Sequence, residues 1–242
     1  DKQIRGGMRQ ALVKVRMYAK AGNRVKQHVM EAYSPIRITA MAERMGLVPG
    51  LAMDLISTDP EDNMPWEFDK QDKRNKVHAL VKAKTSLLLV VSPMCVAFSQ
   101  LQRLNFPKMD PDRVKEIISH GVKHLEFCMW LCKIQHEQGL YFLFEHLARA
   151  SSWDSRLIKS LMELPEVHRV VGSMCMFDMM QQDGQGFARV RKATGIMTNS
   201  ACNVGRLKVK CNGMHRHVTL VNGRAKAADV YPDRVCSETV KG

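Results

Sequence analysis

Two short apolar runs in this chain each end in a group able to do chemistry. Leu87-Leu88-Leu89-Val90-Val91 leads through Ser92-Pro93-Met94 to Cys95, and Leu140-Tyr141-Phe142-Leu143-Phe144 leads to Glu145. Continuous runs of this length, rich in aliphatic and aromatic residues, read as strands buried on both faces, as in a parallel sheet. In open α/β sheets the reactive groups sit just past the carboxyl ends of strands, where the loops converge on a crevice. A thiol and a carboxyl delivered to neighbouring strand ends therefore make a candidate nucleophile and a candidate proton holder. The other reading of Cys95 is a thiol that merely packs, since free cysteine is among the most buried residue types.

The elements that must position this pair begin upstream. His28 to Tyr33 reads as a strand, Tyr33-Ser34-Pro35-Ile36-Arg37 as a turn, Ile38 to Met45 as a helix, and Leu51 to Leu55 as a second strand that carries an acid, Asp54. Nucleotide-binding folds place a ribose-binding acid about twenty residues after the first turn, and Asp54 follows Ser34 at that interval. Trp66, after Pro65, offers either a ring for stacking on a base or ordinary packing. Downstream, Arg189 and Arg191 alternate in Phe187-Ala188-Arg189-Val190-Arg191-Lys192. On an extended strand they point the same way, to clamp a phosphate or base carbonyl, or simply form a solvated charge run.

Several of these residues also carry a resemblance. Ser92-Pro93-Met94-Cys95-Val96-Ala97-Phe98-Ser99 resembles the Pro-Cys-x-x-Phe-Ser loop of cytosine-C5 DNA methyltransferases, with Met94 in place of the second proline. Phe144-Glu145-His146 stands where that family has its Glu-Asn-Val strand end, and Phe187 to Gly195 resembles its Gln-x-Arg-x-Arg segment. Val230-Tyr231-Pro232-Asp233-Arg234-Val235-Cys236 looks like the segment that closes on its cofactor pocket. The likeness covers residues 28 to 242 at the level of motifs, and the turn after the first strand lacks the family's glycines.

The resemblance implies an α/β chain with a Rossmann-like S-adenosylmethionine-dependent methyltransferase fold. A mostly parallel sheet would have helices on both faces, strands near 29–33, 51–55, 86–92, 140–145, 167–172 and 217–221, and the last strand antiparallel. It implies S-adenosylmethionine as cofactor, held by Tyr33, Ser34, Pro35, Asp54, Trp66 and Pro93. Cys95 would add to C6 of a cytosine flipped out of the DNA stack, Glu145 would hold the N3 proton, and Arg189 or Arg191 would supply positive charge. The alternative is a nucleic-acid-binding remnant of the same fold, without catalysis, inside a mobile-element or viral polyprotein. A chain opening on Asp1 suits a piece of a longer polypeptide.

Composition bears on partners. The chain has 242 residues, 45% hydrophobic and 25% charged, enough for one substantial core and unlike a disordered segment. A formal net charge of +13 favours a polyanionic partner, nucleic acid first and DNA ahead of RNA. The excess is concentrated in residues 1–27, a basic amphipathic arm preceding a single methyltransferase-like domain over 28–242. No run is long enough to span a bilayer and no signal-peptide pattern opens the chain, so an intracellular protein is expected. The seven cysteines lack the regular spacing of a disulfide framework.

Metal ligation is the last chemistry to weigh. Cys202, Cys211, His215 and His217 form C-x8-C-x3-H-x-H, four ligand types of the kind tetrahedral zinc takes, but without the close cysteine pair of most zinc fingers. The competing reading, adopted here, assigns no metal: His217 starts a strand and its neighbours are loop residues. Between Asp112 and Gln138, a helix places His120, His124, Cys128, Cys132 and His136 on a slowly rotating stripe that does not itself converge on one ion. His146 either assists proton transfer or orients Glu145, Trp153 walls the pocket or packs on a helix start, and Gln181 to Gly186 reads as a flexible loop.

Overall fold

Strands that are apolar on both sides need cover on both sides, and the chain supplies it by alternating them with helices. The computed structural model describes residues 25–83, 86–220 and 224–242; nearly all of the proposed arm lies outside the described residues. In chain order the elements are β1 (Gln27–Ala32), α1 (Ile38–Arg44), β2 (Pro49–Met53), α2 (Gln71–Lys82), β3 (Ser86–Val91), α3 (Gln100–Asn105), α4 (Pro111–Glu137) and β4 (Tyr141–Leu147). There follow α5 (Arg156–Met162), β5 (His168–Ser173), β6 (Met180–Asp183), β7 (Gly186–Val190), β8 (Ala193–Thr198), α6 (Ala201–Leu207), β9 (His217–Val218), α7 (Arg224–Ala227) and α8 (Asp233–Lys241).

The main sheet has the order β2-β1-β3-β4-β8-β5. β1 pairs in parallel with β2 and β3, and β3 with β4, while β8 runs antiparallel between β4 and β5. This is a mostly parallel α/β sheet flanked by helices, compatible with a Rossmann-like fold. The two faces follow the strand period of two. Met30, Ala32, Leu89, Val91, Phe142 and Phe144 point into one core, and Val29, Leu88, Val90 and Leu143 into the other.

Two expectations are corrected. The antiparallel strand of the main sheet is Ala193–Thr198, not 217–221; His217–Val218 instead joins a separate sheet of order β6-β7-β9. Gln181 to Gly186 is likewise no loose loop: Gln181 to Asp183 belong to β6, Gly184-Gln185 make the hairpin turn, and Gly186 opens β7 opposite Asp183. The Thr194 to Thr198 run is buried throughout, and its short apolar stretch sits directly behind an arginine-rich segment that masked it. Gly195 in that strand has a packing reason, because a Cβ there would lie 2.6 Å from Cζ2 of Trp153. Trp153 itself is buried, donates from Nε1 to the Leu147 carbonyl at 2.7 Å, and packs rather than walls the pocket.

The glycine-free turn after β1 is built by other means. Tyr33 takes the left-handed backbone conformation, φ 58°, that a glycine would adopt at less cost. Its ring packs on Phe68, centroids 4.5 Å apart, and its hydroxyl bonds His124 Nδ1 at 2.7 Å. Helix α1, which starts after this turn, has no side-chain cap of its own. The fully buried Glu31 carboxylate of β1 replaces one, accepting the N–H groups of Arg37 and Thr39, both at 3.0 Å, and the hydroxyls of Ser34 and Thr39 at 3.0 and 2.6 Å. A charged acceptor suits the four free N–H groups of a helix start. Glu31→Gln keeps the shape but presents an amide NH₂ to these donors, so a loss of about 2 kcal/mol is expected. Urea unfolding is the check: the midpoint should fall with an unchanged slope.

Among the described residues no helix is long and apolar enough to cross a membrane.

Candidate active site

Register aligns the strand ends. Ala32 pairs with Met53 on one side and Val91 on the other, and Val91 pairs with Phe144. The next residue in each chain segment is therefore Tyr33, Asp54, Ser92 and Glu145, in a row along one edge of adjacent strands. All of them line a single cavity of about 340 Å³, within the range of small-molecule sites. The turn Tyr33-Ser34-Pro35, the loop Trp66 to Asp69, Pro93, Cys95, Lys192 and Tyr231 also line it.

Cys95 precedes a 3-10 turn over Val96–Phe98, its carbonyl accepting the Phe98 N–H at 3.0 Å. Burial pushes the thiol above its usual pKa, the Glu145 carboxylate pushes it the same way, and the Lys192 ammonium pulls it back. Burial likewise raises the Glu145 carboxyl, against the pull of Lys192 and of a hydrogen bond from Tyr231. Burial thus shifts both groups toward their neutral forms. The Tyr231 hydroxyl shares a 2.8 Å hydrogen bond with Ser92 Oγ, so it ties β3, Glu145 and the C-terminal segment together. Arg37, at the start of α1, locks that segment in place: it donates to the Tyr231 carbonyl at 2.7 Å and pairs with Asp233 at 2.9 Å.

Asp54 Oδ1 accepts the Ile56 N–H at 3.2 Å, and Oδ2 has no protein partner among the described residues. Trp66 differs from its expected role: it is fully buried, with Lys73 and Lys76 nitrogens 5.1 and 5.4 Å from its ring centroid. It is a core residue that forms part of the cavity wall, and its ring, without exposed surface, is not presented for stacking. Asp69 stands closer to the opening, where His120 and Lys123 hold its carboxyl well below the usual range. His120 and His124, one helical turn apart on α4, do converge once Asp69 is added, with Asp69 Oδ2 2.9 Å from His120 Nε2 and Oδ1 3.3 Å from His124 Nε2.

The two arginines are not at the cavity. Arg189 pairs with Asp178 at 3.0 Å and donates to the Cys175 carbonyl, while Arg191 is exposed and its N–H bonds the Val218 carbonyl at 3.0 Å. The cation that lines the cavity is Lys192, whose Nζ also donates to the Ala228 carbonyl at 2.9 Å. Strand β7 ends at Val190, so the alternation that grouped Arg189 with Arg191 stops before Arg191. The signal was present as a third basic residue in the same segment. His146 is buried, bonds Ser152 Oγ at 2.6 Å, and is pushed down to about 4 by that burial, which makes it a neutral structural group.

No protein-family model matches this chain, and no curated protein matches it in sequence.

Proposed function

We propose that the chain is an S-adenosylmethionine-dependent methyltransferase acting at C5 of cytosine in DNA, with Cys95 as nucleophile and Glu145 as the group that holds the N3 proton. The observation that supports this reading is the alignment of four strand ends on one cavity, with the thiol and the carboxyl at one end and the Tyr33-Ser34-Pro35 turn and Asp54 at the other. The bound cofactor would supply an electrophilic methyl group. The residues suit it in part: Asp54 has a free carboxylate oxygen for a ribose hydroxyl, and Asp69 offers an acceptor for an exocyclic amine, whereas Trp66 is closed to stacking.

The roles of the chain's own residues follow from their surroundings. Glu145, biased toward its protonated form, gives a hydrogen bond to N3 of a flipped cytosine and makes C6 electrophilic. The Cys95 sulfur then bonds C6 as its proton leaves, and C5 becomes nucleophilic enough to take the methyl group. Loss of the C5 proton and cleavage of the sulfur–C6 bond restore the aromatic ring and free the thiolate. Lys192 favours the thiolate and Tyr231 orients the carboxyl. The net positive charge attracts the DNA backbone.

The second reading, a DNA-binding relic, draws on the neutral thiol and the closed Trp66 ring. Calorimetric titration of the full chain with S-adenosylmethionine separates the two. Asp54→Ala is expected to weaken binding about tenfold or more, the worth of a hydrogen bond to a charged group. No heat of binding, with DNA present or absent, would leave the relic as the better description, with DNA affinity that falls steeply with salt and ignores Cys95→Ser.

A further inference from the structure

A second cluster of chemically capable side chains lies outside the cavity. Cys175, Cys211, His215 and His217 bring two sulfurs and two ring nitrogens within 4.8 Å of one another. Cys175 is buried in the 3-10 turn Met174–Phe177 just after β5, Cys211 follows α6, and His217 opens β9. The set differs from the sequence-derived one by a single member: Cys202 is exposed on α6 and outside the cluster, and Cys175 takes its place. The spacing Cys-x35-Cys-x3-His-x-His resembles no local zinc motif, because the first ligand arrives by sheet topology.

The separations within the cluster are those of ligands around one ion. Cys211 Sγ lies 3.6 Å from His215 Nε2 and 3.4 Å from His217 Nε2. A tetrahedral zinc ion, with Zn–S about 2.3 Å and Zn–N about 2.0 Å, places sulfur and nitrogen about 3.5 Å apart. Both rings present Nε2 to the same sulfur, as two imidazole ligands and a thiolate do around a shared ion. The rings are inclined by 69° with centroids 4.6 Å apart, so they converge without stacking. The Gly213 N–H points at Cys211 Sγ at 3.3 Å, the backbone contact that supports a thiolate ligand.

We propose that Cys175, Cys211, His215 and His217 form a structural zinc site that fastens the β6-β7-β9 sheet to the end of β5. Two thiolates and two neutral imidazoles balance the charge of Zn²⁺, and four protein ligands leave no open position for a reacting water, as in closed structural sites. Binding releases the two thiol protons. The site also braces the cavity. Met174 N–H bonds the Lys192 carbonyl at 2.8 Å, and Arg191 N–H bonds the Val218 carbonyl at 3.0 Å, so the segment carrying Lys192 is held on both sides by ligand-bearing stretches.

The test is elemental analysis of the full chain purified under reducing conditions from zinc-supplemented cells, followed by exchange with Co²⁺. About one zinc per chain is expected, and the cobalt form should show thiolate-to-metal charge transfer with the intense visible bands of tetrahedral coordination. Cys211→Ser and His217→Ala should lower the metal content to less than about a tenth, while Cys202→Ser retains it. Because a ligand variant can lose its metal by misfolding, the unmodified chain supplies an independent reading: a chelator should lower its melting temperature and zinc, but not magnesium, should restore it. A chain that takes up neither zinc nor cobalt, a six-coordinate cobalt spectrum, or metal content that follows Cys202 would overturn the site. So would two thiols missing from the count in denaturant, which would assign Cys175 and Cys211 to a disulfide.

Discussion

Cys95→Ser is expected to abolish covalent capture of the chain on DNA containing 5-fluorocytosine. Fluorine at C5 cannot leave as a proton does, so an enzyme that adds its thiol to C6 and methylates C5 remains bonded to the base. The serine hydroxyl sits in the same place but lacks the nucleophilicity of sulfur, and the neighbouring groups that assist a thiolate do not ionise an alcohol. Loss of a covalent nucleophile costs on the order of 10³-fold or more, so the denaturant-resistant complex should disappear from the gel. Capture should also depend on pH in a defined sense. Burial and Glu145 raise the Cys95 thiol, so the reactive thiolate fraction grows as pH increases; burial raises Glu145 as well, and its proton is lost over the same direction. The rate therefore rises and then falls, with both limbs shifted upward from the ordinary thiol and carboxyl values. Capture that survives Cys95→Ser would remove this residue from the proposed role.

The largest effect on stability is expected at Asp59. Its side chain has no exposed surface and lies 2.8 Å from Lys73 Nζ and 2.6 Å from Lys76 Nζ, with Lys73 itself only 4% exposed. Asp62 adds a second carboxylate to Lys73 at 2.7 Å, but its own side chain is 48% exposed. The two ammonium groups in turn cover the buried ring of Trp66. Without Asp59 the two ammonium groups keep only the more exposed carboxylates, Asp62 for Lys73 and Glu61 for Lys76, and lose the buried one, so Asp59→Asn should cost about 3 kcal/mol, the low end for breaking a buried pair. Burial alone would raise the Asp59 carboxyl, yet hydrogen bonds from Lys73 and Lys76 hold it at about 2, below the ordinary 3.8. A depressed folded-state value means that the carboxylate's contribution is complete above the unfolded pKa and is lost as pH falls toward about 2. Urea unfolding at neutral pH should show the full difference between the two proteins, and the difference should shrink between the ordinary carboxylate range and about 2. A gap under about 1 kcal/mol at neutral pH would mean that water reaches Lys73 and the pair behaves as a surface bridge.

The loop that carries Asp59 also carries Trp66 to Asp69, so this network shapes the cavity wall. The cavity and the zinc-type cluster share one character: each is assembled from segments distant in sequence. Asp59 and Lys73 look like members of a solvated stretch, and only their burial makes them a network.

What the sequence determined by itself is the set of buried strands and the turns that end them. Leu87 to Val91 and Leu140 to Phe144 are apolar on both faces, and such runs are stable only inside a covered sheet. The places of Cys95, Glu145 and Asp54 at or just past strand ends follow for the same reason, since each lies within four residues of the end of such a run. What the tertiary structure decided is which distant residues meet. Register set Tyr33, Asp54, Ser92 and Glu145 in one row; the antiparallel insertion of Ala193–Thr198 between β4 and β5 brought Lys192, rather than Arg189 or Arg191, to the cavity. Glu31 became the cap of a helix that lacks its own, Trp66 became core, and Cys175 replaced Cys202 beside Cys211, His215 and His217. Periodicity records which face of an element is buried, because burial acts on every residue of that face; it does not record which other element covers it, because that depends on strand order and loop closure across the whole chain.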